Sequence, residues 1–270
     1  MNIKVEQITA SYGKTPILED LSIFIPEKKI TTIVGPNGCG KSTLLKSIGR
    51  ILSIQKGMIF LDGQNIHDMP TNILAQQMAI LPQSPSTPEG ITVEELVSYG
   101  RFPHQKAWGK LKHEDYRQID WALKATELED IRHKEVDNLS GGQRQRAWIG
   151  MALAQQSSII LLDEPTTYLD MSYQLEILEL LQILNETEKT TIVMVLHDLN
   201  LAARFSDYLI GMKSGQILCQ GTPHQVVTTD YLRKIFQVEA QIIEDPQSNK
   251  PVVLSYYRVK SGNEKLISYR

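Results

Sequence analysis

The sequence predicts an α/β fold whose sheet is mostly parallel and carries a helical insertion. Three observations lead there. Apolar segments rich in β-branched residues, which read as buried strands, alternate with amphipathic helical stretches. One such strand runs straight into a glycine-rich loop that opens a helix. Residues from about 88 to 150 are rich in helical signals and poor in strand signals.

Taken in order, Ile3 and Val5 alternate with polar residues, as do Leu21, Ile23 and Ile25, so the chain opens on half-buried strands. The apolar centre of residues 28–35 then leads into glycines, and residues 44–52 follow as a helix. Further strands are expected at 57–63, 78–83, 159–165, 190–198 and 208–212. Lys213, Ser214, Gly215 and Gln216 form a hairpin turn into residues 216–221. Thr92 with Glu95 makes a capping box ahead of Leu96 and Val97. Tyr116, Ile119 and Leu123 fall on one face of a second helix, and Leu175, Leu178, Leu181 and Leu184 on one face of another.

Composition narrows the function class. With 41% hydrophobic and 22% charged residues in 270, the chain matches globular averages, which excludes disorder and fibrous repeats. Its 28 Lys and Arg against 31 Asp and Glu leave a net charge of -3, with no overall basic footprint for nucleic acid. Cys39 and Cys219 are too far apart for metal or redox spacing, which fits a reducing compartment. The N-terminal residues lack the pattern of a signal peptide, and no apolar run approaches the ~18 residues of a membrane helix. The expectation is a chain that does not cross a membrane by itself.

The chemistry concentrates in three motifs. Gly35, Pro36, Asn37, Gly38, Cys39, Gly40, Lys41, Ser42 and Thr43 match the phosphate-loop pattern G-x-x-x-x-G-K-[ST] between a strand and a helix. Glycines let backbone N–H groups turn inward on a polyphosphate, and the helix adds its positive end. Lys41 would bridge the β- and γ-phosphates, and the Ser42 hydroxyl would ligate Mg²⁺. A second strand delivers Asp163 and Glu164 to its C-terminal end. There Asp163 would hold Mg²⁺ through water and Glu164 would polarise the attacking water. Alone, such a pair is ordinarily a solvated strand end; the phosphate loop upstream reverses that reading. The third motif is Leu139, Ser140, Gly141, Gly142 and Gln143, with Ser140 where a helix N-cap belongs and two glycines exposing N–H groups. It is a second anion-binding helix terminus.

With these motifs in this order, the sequence resembles the ATP-binding cassette (ABC) ATPase family from Tyr12 to about residue 221. The resemblance implies a P-loop NTPase core over about 1–87 and 151–220 with an N-terminal antiparallel β subdomain. It also implies an α-helical subdomain over about 88–150 and a short extension over about 221–270. ATP and Mg²⁺ are the implied cofactors. Tyr12 would stack on adenine, Gln83 would sense Mg²⁺ and the attacking water, Asp170 would belong to a loop linking two subunits, and His197 would contact the γ-phosphate. Two chains would form a head-to-tail homodimer, with Ser140 to Gln143 of one completing the phosphate loop of the other around ATP. On residues alone, Tyr12 is also an edge aromatic and Gln83 a loop glutamine. His67, His104, His113, His133 and His224 read as structural. Cys39 is a bystander of the loop, with sensitivity to thiol reagents expected.

Without a membrane span, the family resemblance points to an importer that keeps its ATPase on separate subunits from its permease. Residues 84–105 lie where the family contacts the cytoplasmic coupling helix of the membrane partner. Residues 99–104, YGRFPH, resemble a segment common in ATPases for iron(III)–siderophore, haem and cobalamin uptake, as do residues 197–210. The implied assembly sits peripherally on the cytoplasmic face of the cell membrane, with permease subunits and an extracytoplasmic solute-binding protein. Iron(III)–siderophore import leads; haem, cobalamin and zinc or manganese are the alternatives. A nucleic-acid-associated cassette would need two signatures or basic arms, and a regulator without catalysis would lack Glu164 or His197.

Overall fold

The computed structural model describes residues 1–13, 15–83, 85, 87–105 and 109–259. Strands β1 (Ile3–Tyr12) and β2 (Thr15–Ile25) pair antiparallel, with Ile3 opposite Ile25 and Val5 opposite Ile23. Val5 and Ile8 are three apart, so simple alternation would send them to opposite faces. A bulge at Gln7, with φ 49, absorbs the extra residue and buries both.

The buried strand β3 (Ile30–Val34) leads through the glycine-rich loop into α1 (Lys41–Ile48). Strands β4 (Ile54–Leu61) and β5 (Gln64–Asn65) then complete a four-stranded sheet of order β2-β1-β4-β5. The antiparallel N-terminal sheet is therefore as expected, with β4 beginning three residues earlier than the sequence suggests. Next come α2 (Thr71–Gln77), β6 (Met78–Leu81), α3 (Val93–Ser98), α4 (His113–Ala125) and α5 (Gly141–Ala154). The chain returns through β7 (Ile159–Asp163), α6 (Met171–Glu188), β8 (Thr191–Val195), α7 (Leu199–Phe205), β9 (Tyr208–Lys213) and β10 (Gln216–Gly221). It closes with α8 (Pro223–Val226), α9 (Thr229–Phe236) and the hairpin β11 (Val238–Glu244) and β12 (Pro251–Arg258).

The central sheet has the order β10-β9-β3-β8-β7-β6, parallel except for the edge strand β10. Both its faces are covered, which is why β3, β7 and β8 are buried along their whole length. Ile159, Leu161, Val193 and Val195 face a core shared with α1 and the N-terminal sheet. Their neighbours Ile160, Leu162, Ile192 and Met194 face a second core shared with α3 to α7. Because β3, β6, β7 and β8 run parallel, the loops after all four leave one edge of the sheet, where ligands of such sheets bind.

Two helical faces differ from their periodicity. On α4, Ile119 and Leu123 are buried but Tyr116 is 50% exposed. Asp115 takes the inward position beside them, because the guanidinium of buried Arg101 meets its carboxylate at 2.9 Å. On α6, Leu178, Leu181 and Leu184 are buried with Ile177, while Leu175 is half-buried. The capping box of Thr92 and Glu95 is present.

The segment Tyr99–His104 is a 3₁₀ turn that ties several elements together. Arg101 donates to the Ala154 carbonyl at 2.7 Å, the His104 ring meets the Gln155 carbonyl at 2.7 Å, and Gln76 donates to the Pro103 carbonyl at 2.7 Å. Of these six residues Phe102 is exposed, stacked on Tyr99 with ring centroids 5.0 Å apart.

Candidate nucleotide and phosphoryl-transfer site

The loop after β3 is shaped by glycines where side chains would not fit. A Cβ on Gly35 would lie 2.3 Å from the Met212 carbonyl oxygen, and Gly40 holds the left-handed φ of 102 that starts α1. No described side chain caps α1, so its first amides are left for an anion. Lys41 is buried and donates to the carbonyls of Gly35 at 2.8 Å and Pro36 at 3.0 Å. Its ammonium thus lies across the loop at the place where phosphate oxygens would take over those contacts. The turn between β9 and β10 braces the loop, since the Gly215 N–H donates to the Cys39 carbonyl at 2.9 Å.

At the end of β7, Asp163 is buried and its Oδ1 accepts from the Ser42 hydroxyl at 2.8 Å. Its Oδ2 is buried with no partner among the described residues. Burial pushes the Asp163 carboxyl above its ordinary value, against the pull of the Ser42 hydrogen bond. A free carboxylate oxygen beside a hydroxyl is a hard oxygen donor set, the type that suits Mg²⁺.

Glu164 follows with φ 54, in the left-handed region that costs a side-chain-bearing residue roughly 1–2 kcal/mol. That backbone turns its carboxylate into a cluster of donors. Oε1 lies 2.6 Å from His197 Nε2, while Oε2 accepts from Gln83 Nε2 at 2.5 Å and from the Thr167 hydroxyl at 3.0 Å. Thr167 escaped the sequence reading. Its signal is the turn that begins at Glu164, whose carbonyl accepts from the Thr167 N–H at 3.2 Å. Gln83, expected near the metal as well, uses its side-chain N–H on Glu164.

A cleft of about 350 Å³ joins these groups, lined by Asn37, Lys41, Ser42, Gln83, Glu164 and His197 among others. A larger cavity of about 540 Å³, between Lys28 and Trp121, holds none of the motif residues. Four loops from four adjacent strands therefore bring together the glycine-rich loop with Lys41 and Ser42, the carboxylates of Asp163 and Glu164, and the side chains of Gln83 and His197. The arrangement suits in-line transfer of a phosphoryl group to water.

The remaining expected residues lie outside this cleft. Tyr12 is at the tip of the β1–β2 hairpin, 55% exposed. Ser140 caps α5 through the Gln143 N–H at 3.3 Å, and Gln143 returns a bond to the Ser140 N–H at 3.2 Å. Ser140 and Gly141 are exposed, and a Cβ on Gly142 would lie 2.7 Å from the Tyr173 ring. Asp170 caps α6 through the Tyr173 N–H at 3.1 Å, and that bond holds its carboxyl below the ordinary value.

Cys39 corrects one expectation. The thiol is buried, and burial raises its pKa against the nearby charge of Lys41. The thiolate is the reactive form, so thiol reagents should miss the loop. With iodoacetamide near neutral pH, mass spectrometry should find Cys39 labelled at least about tenfold more slowly than a free thiol. Labelling at the free-thiol rate would show the side chain to be open. Cys219, pushed up to about 11 by burial, should be equally slow.

Fold and cleft together define a phosphate-loop ATPase with a helical signature segment. The sequence pattern described as "ABC transporter" matches residues 18–167. The iron(3+)-hydroxamate import ATP-binding protein FhuC of Bacillus subtilis (strain 168) is 53% identical over 97% of this chain and 98% of its own. The petrobactin import ATP-binding protein FpuD of Bacillus anthracis is 49% identical over 94% of this chain and 93% of its own. Among solved structures, a dimeric post-hydrolysis state of an ATP-binding cassette bound to ADP and Pi superposes with a TM-score of 0.72. It is 31% identical over 82% of this chain and 98% of that one. The chain belongs to the ABC transporter family and is its ATP-hydrolysing, ATP-binding component. No described helix is long and apolar enough to cross a membrane.

Proposed function

We propose that this protein hydrolyses ATP to drive a membrane importer of iron(III)–siderophore complexes. The observation that carries the ATPase reading is the convergence of Gln83, His197 and Thr167 on Glu164 beside the phosphate loop. The import reading rests on the relatives, whose names specify iron(3+)-hydroxamate and petrobactin import.

In the proposed mechanism the phosphates of ATP settle on the amides of residues 35–43, and Lys41 leaves the loop carbonyls for the β- and γ-phosphates. Asp163 and Ser42 would hold Mg²⁺, which would supply charge neutralisation on the phosphoryl oxygens. Glu164 orients a water and accepts its proton as the oxygen attacks the γ-phosphorus. The bond to the β–γ bridging oxygen breaks, giving ADP and phosphate. His197 and Lys41 stabilise charge on the transferred group, and Gln83 keeps the Glu164 carboxylate aimed. Tyr12 stacks on adenine from the hairpin tip. Ser140, Gly141, Gly142 and Gln143 of a second copy, head to tail, close over the γ-phosphate. Asp170 lies in the loop between the copies.

The same reading places the homodimer peripherally, on the cytoplasmic face of the cell membrane. There it works beneath permease subunits fed by an extracytoplasmic solute-binding protein. Residues 1–87 and 151–220 act as the nucleotide-binding core, 88–150 as the permease-facing helical part and 221–270 as an extension.

Cells carrying Lys41→Ala should lose uptake of radiolabelled iron–siderophore complexes while zinc and manganese entry is unchanged. Undiminished iron uptake would sink the substrate reading and leave the ATPase in place, and haem and cobalamin would be measured next.

A further inference from the structure

His197 sits on a short connection, two residues past the end of β8, and Asp198 immediately caps α7 through the Leu201 N–H at 2.8 Å. The orientation of its imidazole therefore depends on how the first turn of α7 is held. The side of that turn facing the C-terminal hairpin borders a cavity of about 450 Å³, walled by His197, Asp198 and Leu199 on one side and by Phe236, Val253 and Tyr256 on the other. Leu199 and Leu201 of that turn pack against the core but stay only partly buried, and the cavity leaves the side toward the hairpin open.

The Asn200 side chain crosses to the hairpin. Asn200 accepts from the Val253 N–H at 2.8 Å and donates to the Val253 carbonyl at 3.2 Å, pairing with β12 as a neighbouring strand would. The far end of α7 is tied separately. Lys250 donates to the Ser206 carbonyl at 3.0 Å, and the Ser206 hydroxyl meets that of Thr32 on β3 at 2.6 Å.

We propose that Asn200 is a positioning residue for phosphoryl transfer: by locking the start of α7 onto β12, it aims His197 at Glu164 and the γ-phosphate. The inference rests on the reading of His197 given above. It assigns the C-terminal hairpin a part in catalysis, although it supplies no group to the cleft. A two-point amide clamp next to a cavity is suited to this, because losing it frees the turn to move into open space. A shift of an ångström in an aligned group costs up to about a hundredfold in rate.

The test uses the full-length protein with Asn200→Ala and Asn200→Asp, the latter keeping the acceptor for the Val253 N–H and losing the donor. In Asn200→Ala, kcat should fall about tenfold with the KM for ATP within about twofold, the pattern of a lost transition-state contact. Asn200→Asp should fall between. The ¹⁵N signal of the His197 imidazole, assigned by its absence in His197→Ala, should move in both. An unmoved His197 signal overturns the proposal, even if kcat falls, because the loss would then have a general structural origin. A moved signal with unchanged kcat also overturns it, provided His197→Ala is impaired. If His197→Ala itself hydrolyses ATP at the wild-type rate, the reading of His197 fails, and the signal alone still reports whether Asn200 holds the imidazole.

Discussion

Replacing Glu164 by Gln should lower ATP hydrolysis by about 10²–10⁴-fold, the range a positioned general base contributes, while ATP still binds. The carboxylate receives the Gln83 amide at 2.5 Å and the Thr167 hydroxyl at 3.0 Å on one oxygen, and faces His197 at 2.6 Å on the other. Glutamine keeps the shape and tolerates the same left-handed backbone as poorly as glutamate does, so the fold is unchanged. What it loses, on the proposed mechanism, is the charge that accepts a proton from water. It also turns an amide N–H₂ toward groups that are themselves donors. Lys41 and the amides of the loop, which the proposed mechanism places on the phosphates, are untouched. ATP should therefore persist between two copies, and light scattering with ATP and Mg²⁺ should report twice the monomer mass. A variant that remains monomeric at saturating ATP would count against the head-to-tail arrangement, and one that hydrolyses at the wild-type rate would remove Glu164 from catalysis.

The second large effect concerns stability. Arg101→Ala should destabilise the protein by about 3–5 kcal/mol, the cost of leaving one partner of a buried ion pair alone. The two side chains are 4% and 7% exposed, and the guanidinium also serves the Ala154 carbonyl at 2.7 Å and the Gln156 side chain at 3.1 Å. Burial raises the Asp115 carboxyl, but the Lys112 N–H and the Arg101 guanidinium outweigh it and hold the group below its ordinary value. A lowered folded value stabilises above the unfolded value and fades as pH falls through the folded one. In the variant the Arg101 share of that support is gone and burial is opposed mainly by the Lys112 N–H, which moves Asp115 toward its neutral form. The gap between variant and wild type should therefore be widest near neutral pH and narrow below about pH 4. Urea denaturation midpoints across pH read this directly. A difference below about 1 kcal/mol at neutral pH would place the pair among contacts of little consequence.

That pair also marks where sequence reasoning stopped. Spacing alone put Tyr116, Ile119 and Leu123 on one buried face, since an aromatic suits a core better than a carboxylate does. The carboxylate of Asp115 is inside only because Arg101, fourteen residues earlier, arrives to neutralise it. No local pattern records such a meeting. The segment around Arg101 was legible as a group-specific motif, yet its use as a tie between α2, α4 and the end of α5 was not. Likewise, the bulge at Gln7 is invisible to strict alternation, although it decides that both Val5 and Ile8 are buried.

The site divides in the same manner. By itself the sequence determined the phosphate loop, the Asp163–Glu164 pair at a strand end, the capped signature helix and the parallel α/β frame. Each depends on residues close together in the chain, where glycine freedom, capping and hydrophobic period act locally. Only the tertiary structure decided that Gln83, Thr167 and His197 meet on one carboxylate, that Asp163 keeps an oxygen without a partner among the described residues, and that Cys39 is buried. It also decided that Asn200 hangs the start of α7 on a hairpin more than fifty residues away. Those facts depend on strand order: β6, β7, β8 and β3 lie side by side in parallel, so their C-terminal loops converge at one edge of the sheet. Strand order follows from long-range packing on both sheet faces, and packing between distant segments leaves no periodic trace in either of them.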